Sequence, residues 1–282
     1  AVIHDGKIKA RYVKRHLPNY GVFDEFRNFV AGDQNLVVRI SGVDVAVAIC
    51  EDIWHSLESI AARTPGLLVV PNGSPFERNK DDVRLALVQK RAKEIGAPVA
   101  YVNMTGGQDD LVFDGDSIVV GKDGSVLART AQFDDQLILV DIECAEGSSR
   151  PDVVISEEQT SHADSAAPAV ATRLSNEAEM WQGLVMGLRD YVGKNGFKSV
   201  VLGLSGGIDS ALVAAIAIDA LGAKRVNGVA MPSKYSSSHS LEDAQALADA
   251  TGIHFRTTPI APMVDAYMAN MVLKGLAEEN LQ

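Results

Sequence analysis

Apolar runs in the first half of the chain are short and end on turn formers, the signature of strands. "NLVVRI" and "VDVAVAI" flank Ser41-Gly42, a tight turn between two strands. "GLLVVPNGSPF" reads as a buried strand that leaves into a polar loop, and "APVAYVNMTGG" as a strand followed by a glycine turn. Between them "DDVRLALVQKRAKEIG" has helical spacing, with Val83, Leu87, Val88 and Ile95 on or near one face and Gly96 as the stop. "SIVVGKDGSVLART" predicts a hairpin that turns at Lys122-Asp123-Gly124, and "DQLILVDIE" predicts a closing strand.

The texture then changes. Residues 146–172, rich in Ser, Ala, acids and Pro and without sustained periodicity, read as a linker. Beyond them "NEAEMWQGLVMGLRDYVGKNG" is a helix stopped by glycine, and "KSVVLGL" is a strand. A helix "ALVAAIAIDALGA", a strand "RVNGVAMPS", a helix "SLEDAQALADATG" with Ser240 as its N-cap, and a strand "IHFRTTPI" follow. This β-α-β-α-β order predicts a parallel sheet with crossover helices. The expected organisation is therefore α/β in two parts, residues 1–145 and 173–282, joined by 146–172.

Composition agrees with two domains, since 282 residues exceed the usual length of one. At 46% hydrophobic and 22% charged residues there is material for sizeable cores. The net charge of −11 argues against broad nucleic-acid binding, yet a local glycine-rich site can still hold an anion. Two cysteines, Cys50 and Cys144, are too few for a disulfide framework or a cysteine metal cluster, which fits a reducing compartment. No basic start followed by an apolar core opens the chain, and no apolar run approaches a membrane span, so a cytoplasmic protein without membrane contact is expected. His16, His55, His239 and His254 lack metal-ligand spacing and read as ordinary.

One segment carries specific chemistry. "VVLGLSGGIDSALVAA" sets Gly203, Ser205, Gly206, Gly207, Asp209 and Ser210 between a strand and a helix. Glycines let amide N–H groups approach a ligand closely, and the helix start adds free N–H groups and positive potential. The product is a phosphate cradle, in which the Asp209 carboxylate can hold a divalent cation. It is not a Walker A loop, because the lysine and its spacing are missing. The Ser-Gly-Gly-x-Asp-Ser run resembles the loop of the N-type ATP pyrophosphatases, and the segment from Leu204 to Ile253, "MPSKYSS" included, resembles the NAD synthetase family. That resemblance implies ATP along Gly203, Leu204, Ser205, Gly206, Gly207, Ile208, Asp209 and Ser210, with magnesium on Asp209 and the adenylate near Met231 to Ser237.

Cys50 is less decided by its surroundings. It ends an apolar run and is followed by Glu51 and Asp52. A thiol becomes a nucleophile only as thiolate, which requires a neighbouring positive charge or base. Spacing does not pair it with Lys14, and an inert buried cysteine and a solvated lysine stay open. "YVKRHLPNYGVFDE", "AICEDIW" and "VVPNGSPF" together resemble the nitrilase superfamily in its glutaminase version, a four-layer αββα fold with a Glu-Lys-Cys triad. The resemblance implies that Cys50 is the nucleophile and Lys14 the triad lysine, and that Tyr20, Glu51, Ser74 and Lys80 line the glutamine site. The family's glutamate lies upstream of its lysine, and no glutamate precedes Lys14 here. The chain is therefore expected to be an internal portion of a longer protein, incompetent alone for either full reaction.

A nitrilase-type glutaminase ahead of this loop is the arrangement of the glutamine-dependent NAD synthetase family. It implies glutamine and deamido-NAD as substrates, ATP and Mg2+ as cofactors, no nucleic-acid partner and a homo-oligomer. Ammonia at neutral pH is mostly non-nucleophilic ammonium, so a sheltered passage between the two sites is expected. Two other classes remain: a carbon–nitrogen hydrolase with a nucleotide-binding regulatory module, and a noncatalytic adenine-nucleotide sensor.

Overall fold

A computed structural model describes residues 1–148, 150–157, 169–234 and 236–270. The chain falls into two compact units. One holds residues 1–106 and 110–183, the other residues 107–109 and 184–282.

In the first unit a small antiparallel pair, β1 (Val2–His4) and β2 (Lys7–Ala10), precedes the main sheet. The main strands are β3 (Leu36–Ile40), β4 (Val43–Val47), β5 (Leu67–Asn72) and β6 (Val99–Asn103). Further along come β7 (Thr105–Gln108), β8 (Leu111–Asp114), β9 (Ile118–Val120), β10 (Val126–Arg129) and β11 (Val153–Val154). Seven of them form one sheet in the order β10-β9-β6-β5-β4-β3-β11. β4, β5 and β6 run parallel, while β3 joins β4 as an antiparallel hairpin through Ser41 and Gly42, both at positive φ.

A short α1 (Glu58–Ala61) and a long α2 (Lys80–Ile95) pack with the sheet. Val37, Ala46, Leu68, Val70, Val99, Tyr101, Ile118 and Val120 meet Val88, Ala92 and Ile95 of α2 in one buried cluster. Gly96 ends α2 in the left-handed conformation, as the sequence predicts. Val83, however, is 51% exposed, and the inward stripe of α2 runs instead through Arg84, Val88, Arg91, Ala92 and Ile95. Two arginines lie on that stripe because each finds buried acceptors, described below.

Other expectations fail for equally local reasons. "DQLILVDIE" forms no strand, and Leu137 and Leu139 are 94% and 73% exposed. The sheet edges it would need are taken, by β11 beside β3 and by an isolated bridge from Val170 to Arg129 of β10. Val153 and Val154, inside the segment read as a linker, thus belong to the sheet. Residues 158–168 of that segment lie outside the described residues. "MTGG" does not turn but continues as β7.

The second unit holds three parallel strands, β12 (Val200–Gly203), β13 (Val226–Ala230) and β14 (His254–Thr257), in sequential order. α3 (Asn176–Lys194) crosses the boundary between units after Gly183. α4 (Ile208–Leu221) and α5 (Ser238–Thr251) connect the strands, and α6 (Ala261–Asn270) follows β14. Small residues let the layers approach: Ala214 and Ala217 of α4 and Ala244 and Ala248 of α5 pack with Leu204, Val226 and Ile253. The cap of α5 is Ser237 rather than Ser240, and its hydroxyl accepts from the Ser240 amide at 3.2 Å. No helix among the described residues is long and apolar enough to cross a membrane.

Candidate active site

Each unit carries one candidate site at the C-terminal ends of parallel strands, where open α/β sheets usually bind ligands. In the first unit β4 ends at Val47, and the chain tightens into a 3-10 turn over Cys50–Trp54. Cys50 opens that turn at φ 46°, a left-handed conformation that is uncommon for a residue with a side chain. The carboxylate of Asp52 accepts from the Ile49 amide at 2.9 Å and pins the turn from within.

Lys14 lies between β2 and the 3-10 turn Glu25–Arg27, where the chain has no ladder of its own. Its ammonium donates to both oxygens of Glu25 at 2.7 Å. Lys14, Glu25 and Cys50 line one cavity of about 320 Å³ with Gly73, Leu17, Phe23 and Phe29. Burial pushes the Cys50 thiol above its ordinary value, while the Lys14 charge and the Gly73 N–H pull it back; Glu51 and Glu25 push it up again. Burial thus favours the neutral thiol, while the Lys14 cation and the Gly73 N–H stand ready to favour the anion.

The other expected glutamine contacts are not among the lining residues of this cavity. The Tyr20 hydroxyl donates to Glu51 at 2.9 Å, and burial followed by that bond pushes it up to about 12. Ser74 is buried, with its amide donating to Asn103 at 2.9 Å and its hydroxyl accepting from Arg84 at 3.3 Å. Lys80 pairs with Glu77 at 2.7 Å. Behind the site, α2 clamps both loops. Arg91 donates to the carbonyls of Ile53 and Trp54, and Arg84 to those of Ser74 and Pro75. His16 and His55, ordinary by spacing, stack face to face with centroids 3.8 Å apart.

Three groups escape the sequence reading: Glu25, Asp52 and the Gly73 amide. A carboxylate soon after the lysine, in "FDEFRNF", is the signal that could have found Glu25. The neighbour of Glu51 in "CEDIW" is the signal for Asp52.

In the second unit a cavity of about 510 Å³ opens between the ends of β12 and β13 and the start of α5. Gly203, Leu204, Ser205, Val229, Met231, Ser237 and Ser240 are among its walls. The glycine loop lies at its edge. Gly206 stands at φ 82°, and a Cβ there would meet the Ser240 carbonyl at 2.1 Å, so both conformation and space demand glycine. Ser210 accepts from the Ser205 amide at 3.2 Å and donates to the Gly207 carbonyl at 2.9 Å, which closes the loop on itself. Gly207 caps α4, and Ile208, Asp209 and Ser210 form its first turn, with Asp209 exposed. Tyr235, within the expected "MPSKYSS" wall, lies outside the described residues.

Comparison with known proteins follows this division. A carbon–nitrogen hydrolase family model matches residues 1–151, and an NAD synthase model matches residues 180–282. The chain is 43% identical over 293 residues to the glutamine-dependent NAD(+) synthetase of Xanthomonas campestris, covering all of this chain and 50% of that protein. It is 40% identical over 306 residues to the protein of that name from Aquifex aeolicus, again over 100% of this chain and 54% of the relative. The glutamine-dependent NAD+ synthetase of Acinetobacter baumannii, solved with adenosine diphosphate, superposes with a TM-score of 0.79 at 39% identity. That match covers 95% of this chain and 48% of the other. The chain spans about half the length of the curated relatives it matches. Since the hydrolase match extends over more than half of its residues, the chain belongs to the carbon–nitrogen hydrolase family.

Proposed function

We propose that this chain carries the glutaminase site and the ATP loop of a glutamine-dependent NAD synthetase. The observation that bears most weight is the convergence of Cys50, Lys14 and Glu25 on one cavity. Residues 1–145 carry the glutaminase chemistry in this reading and residues 173–282 the synthetase chemistry.

In the first half-reaction the Cys50 sulfur attacks the side-chain amide carbon of glutamine. Glu25 holds the Lys14 ammonium at the cavity, and the thiol proton goes to the triad glutamate that the family carries upstream of its lysine. Lys14 stabilises first the thiolate and then the oxyanion of the tetrahedral intermediate. The carbon–nitrogen bond breaks, ammonia leaves with the returned proton, and a thioester remains on Cys50. Water then releases glutamate and restores the thiol. Tyr20, Glu51, Ser74 and Lys80 contribute to recognition of glutamine, Ser74 by shaping the loop rather than through a free hydroxyl.

In the second half-reaction the nicotinate carboxylate of deamido-NAD attacks the α-phosphorus of ATP and expels pyrophosphate. Ammonia then displaces AMP from the acyl adenylate to give NAD. The backbone of Gly203 to Ser210 cradles the phosphates, and Met231 flanks the adenylate. Magnesium takes one or two carboxylates and fills its remaining positions with phosphate and water. The exposed carboxylate of Asp209 in the first turn of α4 fits that demand, and among the described residues no cluster of three or more His, Cys, Asp or Glu side chains forms a separate cage. Asp209 would hold such an ion there, and the ion would supply charge neutralisation for the pyrophosphate. The same reading carries a homo-oligomeric, cytoplasmic enzyme.

Pyrophosphate release from ATP and deamido-NAD in the intact protein tests this assignment. Glutamine or ammonium supports release in the unaltered protein, and Cys50→Ala keeps the ammonium-driven rate while losing the glutamine-driven one. Absence of pyrophosphate with either nitrogen source removes the synthetase reading and leaves a simple hydrolase.

A further inference from the structure

We infer that Asp52 is a positioning residue that, together with Glu25, sets Lys14 opposite Cys50. The inference rests on the reading of Cys50 as nucleophile and Lys14 as its cation. Lys14 sits in a stretch with no secondary structure of its own. Glu25 holds its ammonium and its carbonyl accepts from the Gly32 amide at 2.9 Å, while the backbone on either side of it is anchored by Asp52. The Asp52 carboxylate is 3% exposed and gathers four donors and one imidazole nitrogen. Oδ1 accepts from the Arg15 amide at 3.0 Å and the His16 amide at 2.9 Å, and lies 3.1 Å from His16 Nδ1. Oδ2 accepts from the Tyr12 hydroxyl at 2.8 Å and the Ile49 amide at 2.9 Å.

These contacts bracket both reactive groups. Tyr12, Arg15 and His16 stand on either side of Lys14, and Ile49 and Asp52 stand on either side of Cys50. A single buried carboxylate thereby ties the lysine segment to the thiol turn. Its charge suits the task, because hydrogen bonds to an ionised acceptor are stronger than those between neutral groups, and because such a carboxylate stays in place only while its donors surround it. The same bonds hold Cys50 in its left-handed conformation, which a free turn would relax.

Asp52 touches no reacting atom in this scheme, so its loss should act through Lys14. The test is the rate of Cys50 alkylation by iodoacetamide in the intact protein, followed from neutral to alkaline pH, with melting temperature recorded beside it. Lys14→Ala sets the reference: the alkylation midpoint moves up. Asp52→Asn keeps the size of the side chain but turns a donor toward Tyr12 or Ile49. It should slow alkylation at neutral pH about tenfold, the change in thiolate fraction that a midpoint rise of about one unit produces. Adding Lys14→Ala to it should slow the reaction no further. Tyr12→Phe, which removes one of the five contacts and no charge, should slow it about threefold, in keeping with one partly lost hydrogen bond.

If Asp52→Asn does not fold, Tyr12→Phe decides. An alkylation profile that either folded variant leaves unchanged, while Lys14→Ala shifts it, overturns the role of Asp52 and leaves the proposed function standing. A profile that Lys14→Ala also leaves unchanged overturns the coupling of Lys14 to Cys50, and the positioning role with it.

Discussion

Lys14 and Gly206 are the residues whose surroundings dictate most sharply what replacement will do. Lys14→Met removes the charge that offsets burial of the Cys50 thiol while keeping much of the stem. Glutamine hydrolysis should fall by about 100- to 1,000-fold, the usual loss for one group that stabilises an oxyanion, with ammonium-driven synthesis unchanged. Gly206→Ala forces a Cβ into the Ser240 carbonyl at a positive φ, so ATP-dependent pyrophosphate release should collapse while Cys50 alkylation holds its rate. The thiol also predicts a pH dependence. Its titration in the folded chain lies above the ordinary value, so the stability it contributes is intact below that value and is lost as pH rises through the folded one. Urea midpoints of the unaltered protein should therefore fall more steeply on the alkaline side than those of Cys50→Ala. Little of this was legible from spacing. Lys14 and Cys50 are separated by a turn, a 3-10 turn and a hairpin, and a family resemblance brought them together before geometry did. Glu25 and Asp52 stayed hidden because an acid in a loop looks solvated until its donors are known.

The helix α2 explains how an element can fix a site it does not enter. Its inward stripe carries Arg84 and Arg91, which bind the backbone of the two loops that present Gly73 and Cys50. Arg84 also meets both oxygens of Asp114 at 2.8 Å, and the pair is fully buried. Arg84→Ala strands that carboxylate, and by the cost of breaking a buried pair it should lower stability by about 3–5 kcal/mol in chemical denaturation. Arg84→Met with Asp114→Leu should recover much of the loss in folding while glutamine hydrolysis stays low, because no guanidinium then holds the Ser74 and Pro75 carbonyls. Hydrophobic periodicity located α2 and its glycine stop, but it cannot register an arginine as a core residue. The opposite error befell Leu137 and Leu139, whose apolar run promises a strand. A strand exists only where a neighbour offers its ladder, and both edges of the sheet are engaged already.

At the scale of the whole molecule, two cores with separate membership imply separate failures. Val88 and its neighbours form one cluster and Leu204 and its neighbours another, with no residue in common. The texture change after residue 172 made two parts legible, yet the contact boundary falls after Gly183, inside α3. The reason is a buried network the sequence does not announce. Arg173 pairs with both Asp116 and Glu179 at 3.0 Å, and Gln132 donates to Glu179 at 2.6 Å, so the first turns of α3 are held by the first unit. Polar pairing at long sequence separation has no period, and only the fold brings its members together. Calorimetry of the intact protein should accordingly resolve more than one transition, since two-state unfolding is expected only of single domains. Leu204→Ala leaves a cavity under α4 and should cost about 2–5 kcal/mol in the transition of the second unit. Its mark is selectivity: ATP-dependent pyrophosphate release falls with that transition, while Cys50 keeps its alkylation rate and the other transition keeps its midpoint. Val88→Ala should do the reverse. Common movement of both transitions in either variant would mean that the two cores unfold as one.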